Sequence, residues 1–95
     1  MVNAIVLLKV ERDKVNDLAK VLVDTKGVSE VYSVSGRYDL VAIIRVENND
    51  DLADTVTNHM RKLDSILSTE TMLAFRTYSR HDLDSMFSPG LDRLP

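Results

Sequence analysis

The chain has 95 residues, 44% of them hydrophobic, and a formal net charge of −3. This length is typical of a single domain, and the acidic balance with scattered cations excludes a basic surface of the kind that binds nucleic acid directly. The absence of cysteine excludes disulfides and cysteine-ligated zinc, and the apolar run near the N-terminus is too short for a membrane span, so we expect a cytoplasmic protein.

The first two predicted elements are a strand and an amphipathic helix. Residues 4–10 (AIVLLKV) form a short aliphatic run that ends at charged residues, which is typical of a strand. Asp13 is the predicted N-cap of the helix that follows. Its buried face is predicted by apolar residues at helical spacing, namely Val15, Leu18, Ala19 and Leu22.

Residues 28–46 predict a β-hairpin. Two runs rich in valine, isoleucine and tyrosine flank the polar break Ser35-Gly36-Arg37. Glycine suits a tight turn because it reaches positive φ without a Cβ clash. The second run, residues 40–46, is continuously apolar, and such a strand is expected to be covered on both faces.

A second helix and a last strand complete the predicted domain. Asn48 with Asp51 resembles a capping pair, and apolar residues follow at helical spacing: Leu52, Val56, Met60 and Leu63. The last strand is expected at about residues 66–78. The order βαββαβ predicts an α+β, ferredoxin-like domain over residues 1–78, with a four-stranded antiparallel sheet and both helices on one face. A tail follows at residues 79–95, whose charged beginning favours a short helix.

The predicted strands are apolar on both faces, although two helices cover only one. The alternation sets Ile5 and Leu7 of the first strand opposite Ala4 and Val6, and Val41 and Ile43 of the third opposite Leu40 and Ala42, so both faces are substantially apolar. Leaving about six such side chains in water would forgo on the order of 10 kcal/mol. We therefore predict a homodimer, a dimeric α+β barrel in which the two sheets pack face to face. The alternative is that the tail folds back as a lid.

The sequence offers little for catalysis or metal binding. His59 falls on the second helix outside any HExxH motif, which is typical of a surface residue. His81 with Asp82 and Asp84 indicates a solvated helix start rather than a metal site, because a terminal tail lacks the rigidity that metal ligands need. No nucleophile motif or phosphate-binding loop occurs, so we expect neither an enzyme nor a bound metal or cofactor.

Two polar segments remain as a candidate binding site. The first contains Gly36, Arg37, Tyr38 and Asp39, and the second is Ser68-Thr69-Glu70-Thr71. A zwitterionic amino acid needs donors for its carboxylate and an acceptor for its ammonium, which amides, hydroxyls and Asp39 can supply. The alternative is that Asp39 stabilises its turn and Tyr38 packs at an edge. The residues alone favour neither.

These segments resemble the effector-binding (RAM) domain of the Lrp/AsnC family. The resemblance is carried by the pattern V-x-x-V-x-x-V-x-G-x-Y-D-L at residues 28–40 and by T-E-T-x-x-A-F at residues 69–75, and it covers residues 2–78. It implies a sheet-to-sheet dimer, further assembly into rings of dimers, and amino-acid binding between dimers. It also implies a ligand-binding set made of Gly36, Tyr38, Asp39, Thr69 and Thr71, with Arg37 and Ser68 as further candidates.

The resemblance carries a functional expectation. Family members join this domain to an N-terminal helix-turn-helix domain that reads DNA, whereas this chain begins at the first strand and resembles the stand-alone members. We therefore expect an amino-acid-sensing, oligomeric module that acts on full-length Lrp/AsnC regulators and does not itself bind DNA. The alternatives are a small dimeric α+β barrel enzyme, of monooxygenase or isomerase type, and a purely structural oligomeriser.

Overall fold

Strand β1 (Val2–Val10) lies inside the sheet, between β3 (Leu40–Val46) and β4 (Ile66–Leu73). The computed structural model describes residues 1–80 of the chain. The sheet is antiparallel, and its order is β2-β3-β1-β4, with β2 at Val28–Ser33. Helix α1 spans Val15–Val23, and α2 (Asn49–Ala53) continues into a π-helical segment at Asp54–Met60. The predicted α+β, ferredoxin-like fold is confirmed.

The core lies between one face of the sheet and the helices. Alternate residues of β1 and β3 are buried against Leu18 and Leu22 of α1 and Met60 of the π segment. The strand residues of this core are Ala4, Val6, Leu8, Val10, Leu40, Ala42, Ile44 and Val46. Period-2 alternation therefore divided the residues of each strand correctly between two faces, and the structure shows which of the two is buried.

Two local predictions about helix starts had different outcomes. Asn48 is the N-cap of α2, since its Oδ1 accepts the Asp51 backbone N–H at 2.8 Å, as predicted. The assignment of Asp13 as an N-cap was wrong. Asp13 lies inside a 3₁₀ turn at Arg12–Lys14, which begins with the Lys14 N–H donating to the Glu11 carbonyl, and α1 starts after it without a side-chain cap.

Two strand boundaries also differ from the predictions. The β2–β3 connection is six residues long, 34–39, rather than a tight turn at residues 35–37. Strand β4 ends at Leu73 rather than near residue 78, because its neighbour β1 begins at Val2 and the last ladder contact is the Ala74 N–H on the Asn3 carbonyl. The short helix predicted in the tail lies outside the described residues, which end at position 80.

Gly27 fixes the packing of the π segment against the α1–β2 turn. Its φ is +94°, and a Cβ on it would lie 2.5 Å from Thr55 Oγ1. Thr55 is 3% exposed and donates its hydroxyl to the Lys26 carbonyl at 3.1 Å. Only glycine satisfies both the left-handed backbone and this close approach.

Replacement of Gly27 by alanine is expected to lower the free energy of unfolding by about 2–4 kcal/mol, from backbone strain and the clash together. In a Thr55→Ala background the same change is expected to cost about half as much, because the clash is relieved and the strain remains. Urea unfolding of the four proteins measures this coupling. Equal costs in both backgrounds would contradict the proposed contact.

The other face of the sheet carries no helix. Its centre is formed by side chains from three neighbouring strands, which we call the open face: Ile5, Leu7, Val41, Ile43 and Met72. Met72 is 41% exposed, and Tyr32 at the edge is 49% exposed. Glu30 and Arg45 form an ion pair of 3.8 Å beside this apolar block. Contiguous apolar surface of this kind is typical of an interaction surface.

Candidate functional site

The β2–β3 connection is fastened to β1 through Asp39. The Asp39 N–H donates to the Leu8 carbonyl at 2.9 Å, and its Oδ2 accepts the Val10 N–H at 2.9 Å. Its own carbonyl accepts the Val34 N–H at 3.1 Å, which closes the connection. Asp39 therefore holds the loop in place and still has one carboxylate oxygen, Oδ1, outside these bonds.

Tyr38 joins the same connection to the edge strand β4. Its hydroxyl donates to Glu70 Oε1 at 2.7 Å, and this bond spans β1, which lies between the two elements. The Glu70 carboxylate raises the pKa of Tyr38 because it accepts a hydrogen bond that only the protonated phenol can donate. The two polar segments predicted from the sequence thus meet at one end of the sheet.

Substitution of Glu70 by glutamine is expected to lower the pKa of Tyr38 towards its ordinary value. A raised phenol pKa contributes stability that is complete below about pH 10 and is lost as the pH rises through the folded-state pKa. Titration of the tyrosine ring resonances between about pH 9 and 12 measures the change. Tyr32, whose pKa is raised by Glu30, serves as an internal control that should not respond.

Lys9 and Ser68 complete this end of the sheet. They are partners in the β1–β4 register, and the Lys9 Nζ donates to the Arg37 carbonyl at 3.2 Å. Gly36 has a φ of +119°, as a glycine at this position was predicted to have, and a Cβ on it would meet open space. Residues 34–39 together with Lys9, Ser68 and Glu70 form what we call the hairpin site.

Thr69 and Thr71 lie on the opposite face of β4 from Ser68 and Glu70. They pair with Leu8 and Val6, whose side chains are in the core, yet both threonines are exposed because the helices do not cover β4. Thr69 instead borders a shallow cleft of about 270 Å³ beside Arg61 and Ile66. The structure therefore does not gather all the predicted hydroxyls on one face of this protomer.

Lys9 was absent from the site predicted from the sequence, where it was part of the first strand. Glu70 was in the second candidate segment but outside the ligand-binding set, and no sequence signal indicated that it meets Tyr38. Both belong to the site because β1 lies beside β4 in the sheet, and strand order is a tertiary property.

The described residues contain little that supports other chemistry. Between residues 1 and 80, Thr55 is the buried polar residue, and no three metal-ligating side chains come together. His59 is exposed on the π segment, with Nε2 3.3 Å from Asp54 Oδ2. His81, Asp82 and Asp84, for which the sequence favoured a solvated helix start over a metal site, lie outside the described range. Within residues 1–80, no helix has the length and apolarity needed to cross a membrane.

Comparison with known proteins finds a matching family model and similar curated proteins. The family model for the Lrp/AsnC ligand binding domain matches residues 3–83. The HTH-type transcriptional regulator FL11 of Pyrococcus abyssi is 31% identical over 75 residues, which are 79% of this chain and 49% of the regulator. This chain therefore spans about half the length of that relative.

Solved structures show the same fold. The crystal structure of TTHA0845 from Thermus thermophilus matches with a TM-score of 0.79 and 41% identity, covering 84% of this chain and all of that one. The siroheme decarboxylase NirDL, solved with an iron-uroporphyrin III analogue, matches with a TM-score of 0.69 and 19% identity, over 79% of this chain and 26% of that one. The second likeness shows the fold alone.

Proposed function

Because this chain belongs to the Lrp/AsnC ligand binding domain family, we propose that it is a non-catalytic module that binds a free amino acid at the hairpin site. The observation that carries the proposal is the double attachment of the loop, by Asp39 to β1 and by Tyr38 to Glu70. These bonds preorganise a polar loop at the end of a rigid sheet, which reduces the ordering cost of binding a small ligand.

The hairpin site has complementary groups for both ends of a zwitterion. The ligand carboxylate has the backbone N–H groups around Gly36, the Ser68 hydroxyl and the cations Lys9 and Arg37 as donors. The ammonium has Asp39 Oδ1 as an acceptor. Thr69 and Thr71 remain in the proposed ligand-binding set, on the other face of β4.

We further propose that two copies pack together through their open faces. The apolar side chains in adjacent rows form a surface that is removed from water when another apolar surface packs on it. A twofold axis allows the same patch to be buried on both copies. Pairing of such dimers into rings would bring the hairpin sites of neighbouring dimers together. Ligand binding then favours one assembly over another, provided that it contacts them differently.

In this proposal the module acts in the cytoplasm by co-assembling with full-length Lrp/AsnC regulators, and the relatives' helix-turn-helix regions, rather than this domain, contact DNA. The net charge of −3 supports that division, since a negatively charged domain gains no counterion-release energy on DNA.

A thermal-shift screen of the purified protein against the twenty amino acids tests the binding proposal. An amino acid at 100 times its Kd is expected to stabilise the domain by about 2.7 kcal/mol, which raises the melting temperature by several degrees. Absence of any shift at about 10 mM ligand, with an intact dimer, would favour the purely structural oligomeriser instead.

A small enzyme of the same fold is the second candidate, and the fold likeness to a decarboxylase is the observation that favours it. An enzyme of this type needs an enclosed pocket with a titratable group between sheet and helices. The described interior is aliphatic, with Met60 and the Thr55 hydroxyl as its other groups, and Thr55 is bonded to a backbone carbonyl. We therefore rank the binding module first.

A further inference from the structure

A second cleft lies at the far end of the sheet from the hairpin site. It has a volume of about 210 Å³ and is formed where the end of β3, the α1–β2 turn and the start of the π segment meet. Strand β3 runs from the hairpin site at Leu40 to this cleft at Val46, so about 20 Å separates the two. We call it the distal cleft.

The floor of the distal cleft is rigid. Thr55 is buried there and holds the Lys26 carbonyl, and the Gly27 carbonyl accepts the Arg45 N–H at 3.0 Å. These bonds tie three elements together beneath Val46, which gives the cleft an apolar wall. A fixed floor of this kind preorganises the groups on the rim.

The cleft is lined by charged side chains of both signs. Lys26, Glu47 and Asp51 form no ion pair with another side chain of residues 1–80, whereas Arg45, which also lines the cleft, is paired with Glu30 at 3.8 Å. Asp54, also on the rim, has a lowered pKa, chiefly because Asn58 donates to its carboxylate, with further contributions from His59 and Lys26. Asp54 is thus already engaged by its own helix, which leaves Glu47 and Asp51 as the available acceptors.

We propose that the distal cleft binds a small zwitterion, with the carboxylate at Lys26 and the ammonium between Glu47 and Asp51. A molecule with only one charge would leave one set of rim groups without a partner. The volume suits a ligand smaller than a drug-sized compound, and Val46 offers apolar contact to its uncharged part. This site is separate from the hairpin site and does not depend on binding there.

Amide chemical shifts of the ¹⁵N-labelled full chain test this site residue by residue. We expect at least one of the twenty amino acids to shift the Gly27, Val46 and Glu47 resonances in a saturable manner. For leucine as a probe, the matched single-charge compounds are 4-methylpentanoate and 3-methylbutylamine. If leucine binds, each single-charge compound is expected to bind at least tenfold more weakly than leucine. For any other amino acid that binds, the corresponding deaminated acid and decarboxylated amine serve as the single-charge compounds.

Variants separate this site from the hairpin site. Lys26→Met and Asp51→Asn are each expected to raise the Kd read at Gly27 at least tenfold, whereas Lys20→Met and Asp50→Asn, exposed neighbours outside the cleft, leave it unchanged. Asp39→Asn should raise the Kd read at Gly36 at least tenfold and spare the response at Gly27. The inference is overturned if no amino acid shifts the Gly27 region, if a single-charge compound binds equally well, or if the Lys26 and Asp51 variants bind like the wild type. A wild-type protein that responds at Gly27 and not at Gly36 would instead count against the hairpin site.

Discussion

Substitution of Ile43 by lysine is expected to convert the protein from a dimer into a monomer. Ile43 lies at the centre of the open face, beside Ile5 on β1 and Glu30 on β2. In the monomer of the variant, the lysine side chain reaches solvent and has Glu30 as a neighbour, so we expect the fold to be retained. In a sheet-to-sheet dimer the ammonium is buried against apolar side chains, which costs about 3 kcal/mol or more and weakens the dimer at least roughly 100-fold.

Sedimentation equilibrium measures this change directly. The wild type should sediment at twice the chain mass of 10.7 kDa, and the variant at the chain mass at micromolar concentration. Val23→Lys is the matched control, because Val23 is 51% exposed on α1, away from the open face, and its substitution should leave the dimer intact. A wild-type protein that sediments as a monomer at about 100 µM would contradict the proposed interface, and an Ile43→Lys dimer would move it elsewhere on the surface.

Substitution of Asp39 by asparagine is expected to weaken amino-acid binding at the hairpin site at least tenfold without destabilising the domain. The asparagine carbonyl can replace Oδ2 as the acceptor of the Val10 N–H, so the loop stays attached to β1. The negative charge that would receive the ligand ammonium is lost, and a charge-assisted bond of this type contributes about 1.5–3 kcal/mol. The Kd should therefore rise at least tenfold in a calorimetric titration.

Comparison with Asp39→Ala separates binding from stability. Alanine also removes the acceptor of a partly buried N–H, so the free energy of unfolding should fall by about 1–2 kcal/mol, whereas asparagine should leave it within about 0.5 kcal/mol. Both variants should remain dimeric, since Asp39 lies at the end of the sheet. Undiminished binding by Asp39→Asn would show that Asp39 has only the structural role that its bonds to β1 already explain.

The two alternatives that the sequence left open for Asp39 are not exclusive in the structure. One carboxylate oxygen stabilises the loop, and the other lies outside the bonds that fasten it. Tyr38 has a structural role as well, since its hydroxyl donates to Glu70. Sequence reasoning could propose each role separately, but it could not show that the structural role of Asp39 uses Oδ2 and leaves Oδ1 outside these bonds.

Helix continuation was the least predictable part of the fold. The apolar spacing of Val56, Met60 and Leu63 indicated an ordinary amphipathic helix, but the chain adopts π-helical bonding from Asp54 to Met60. Within this segment Thr55 donates to the Lys26 carbonyl and lies against Gly27, a contact between residues far apart in sequence. Local spacing carries no information about such a contact.

The sequence by itself determined the order of strands and helices along the chain and the division of each central strand into two alternating faces. Hydrophobic periodicity and capping are local, so residues within a few positions of one another suffice to specify them. Only the tertiary structure decided that Tyr38 meets Glu70 and that Thr69 and Thr71 lie on the other face of their strand. It also decided that the distal cleft is lined by Lys26, Glu47 and Asp51, which form no ion pair within residues 1–80. Those arrangements depend on which strands become neighbours and in what register, which is set by packing across the whole sheet.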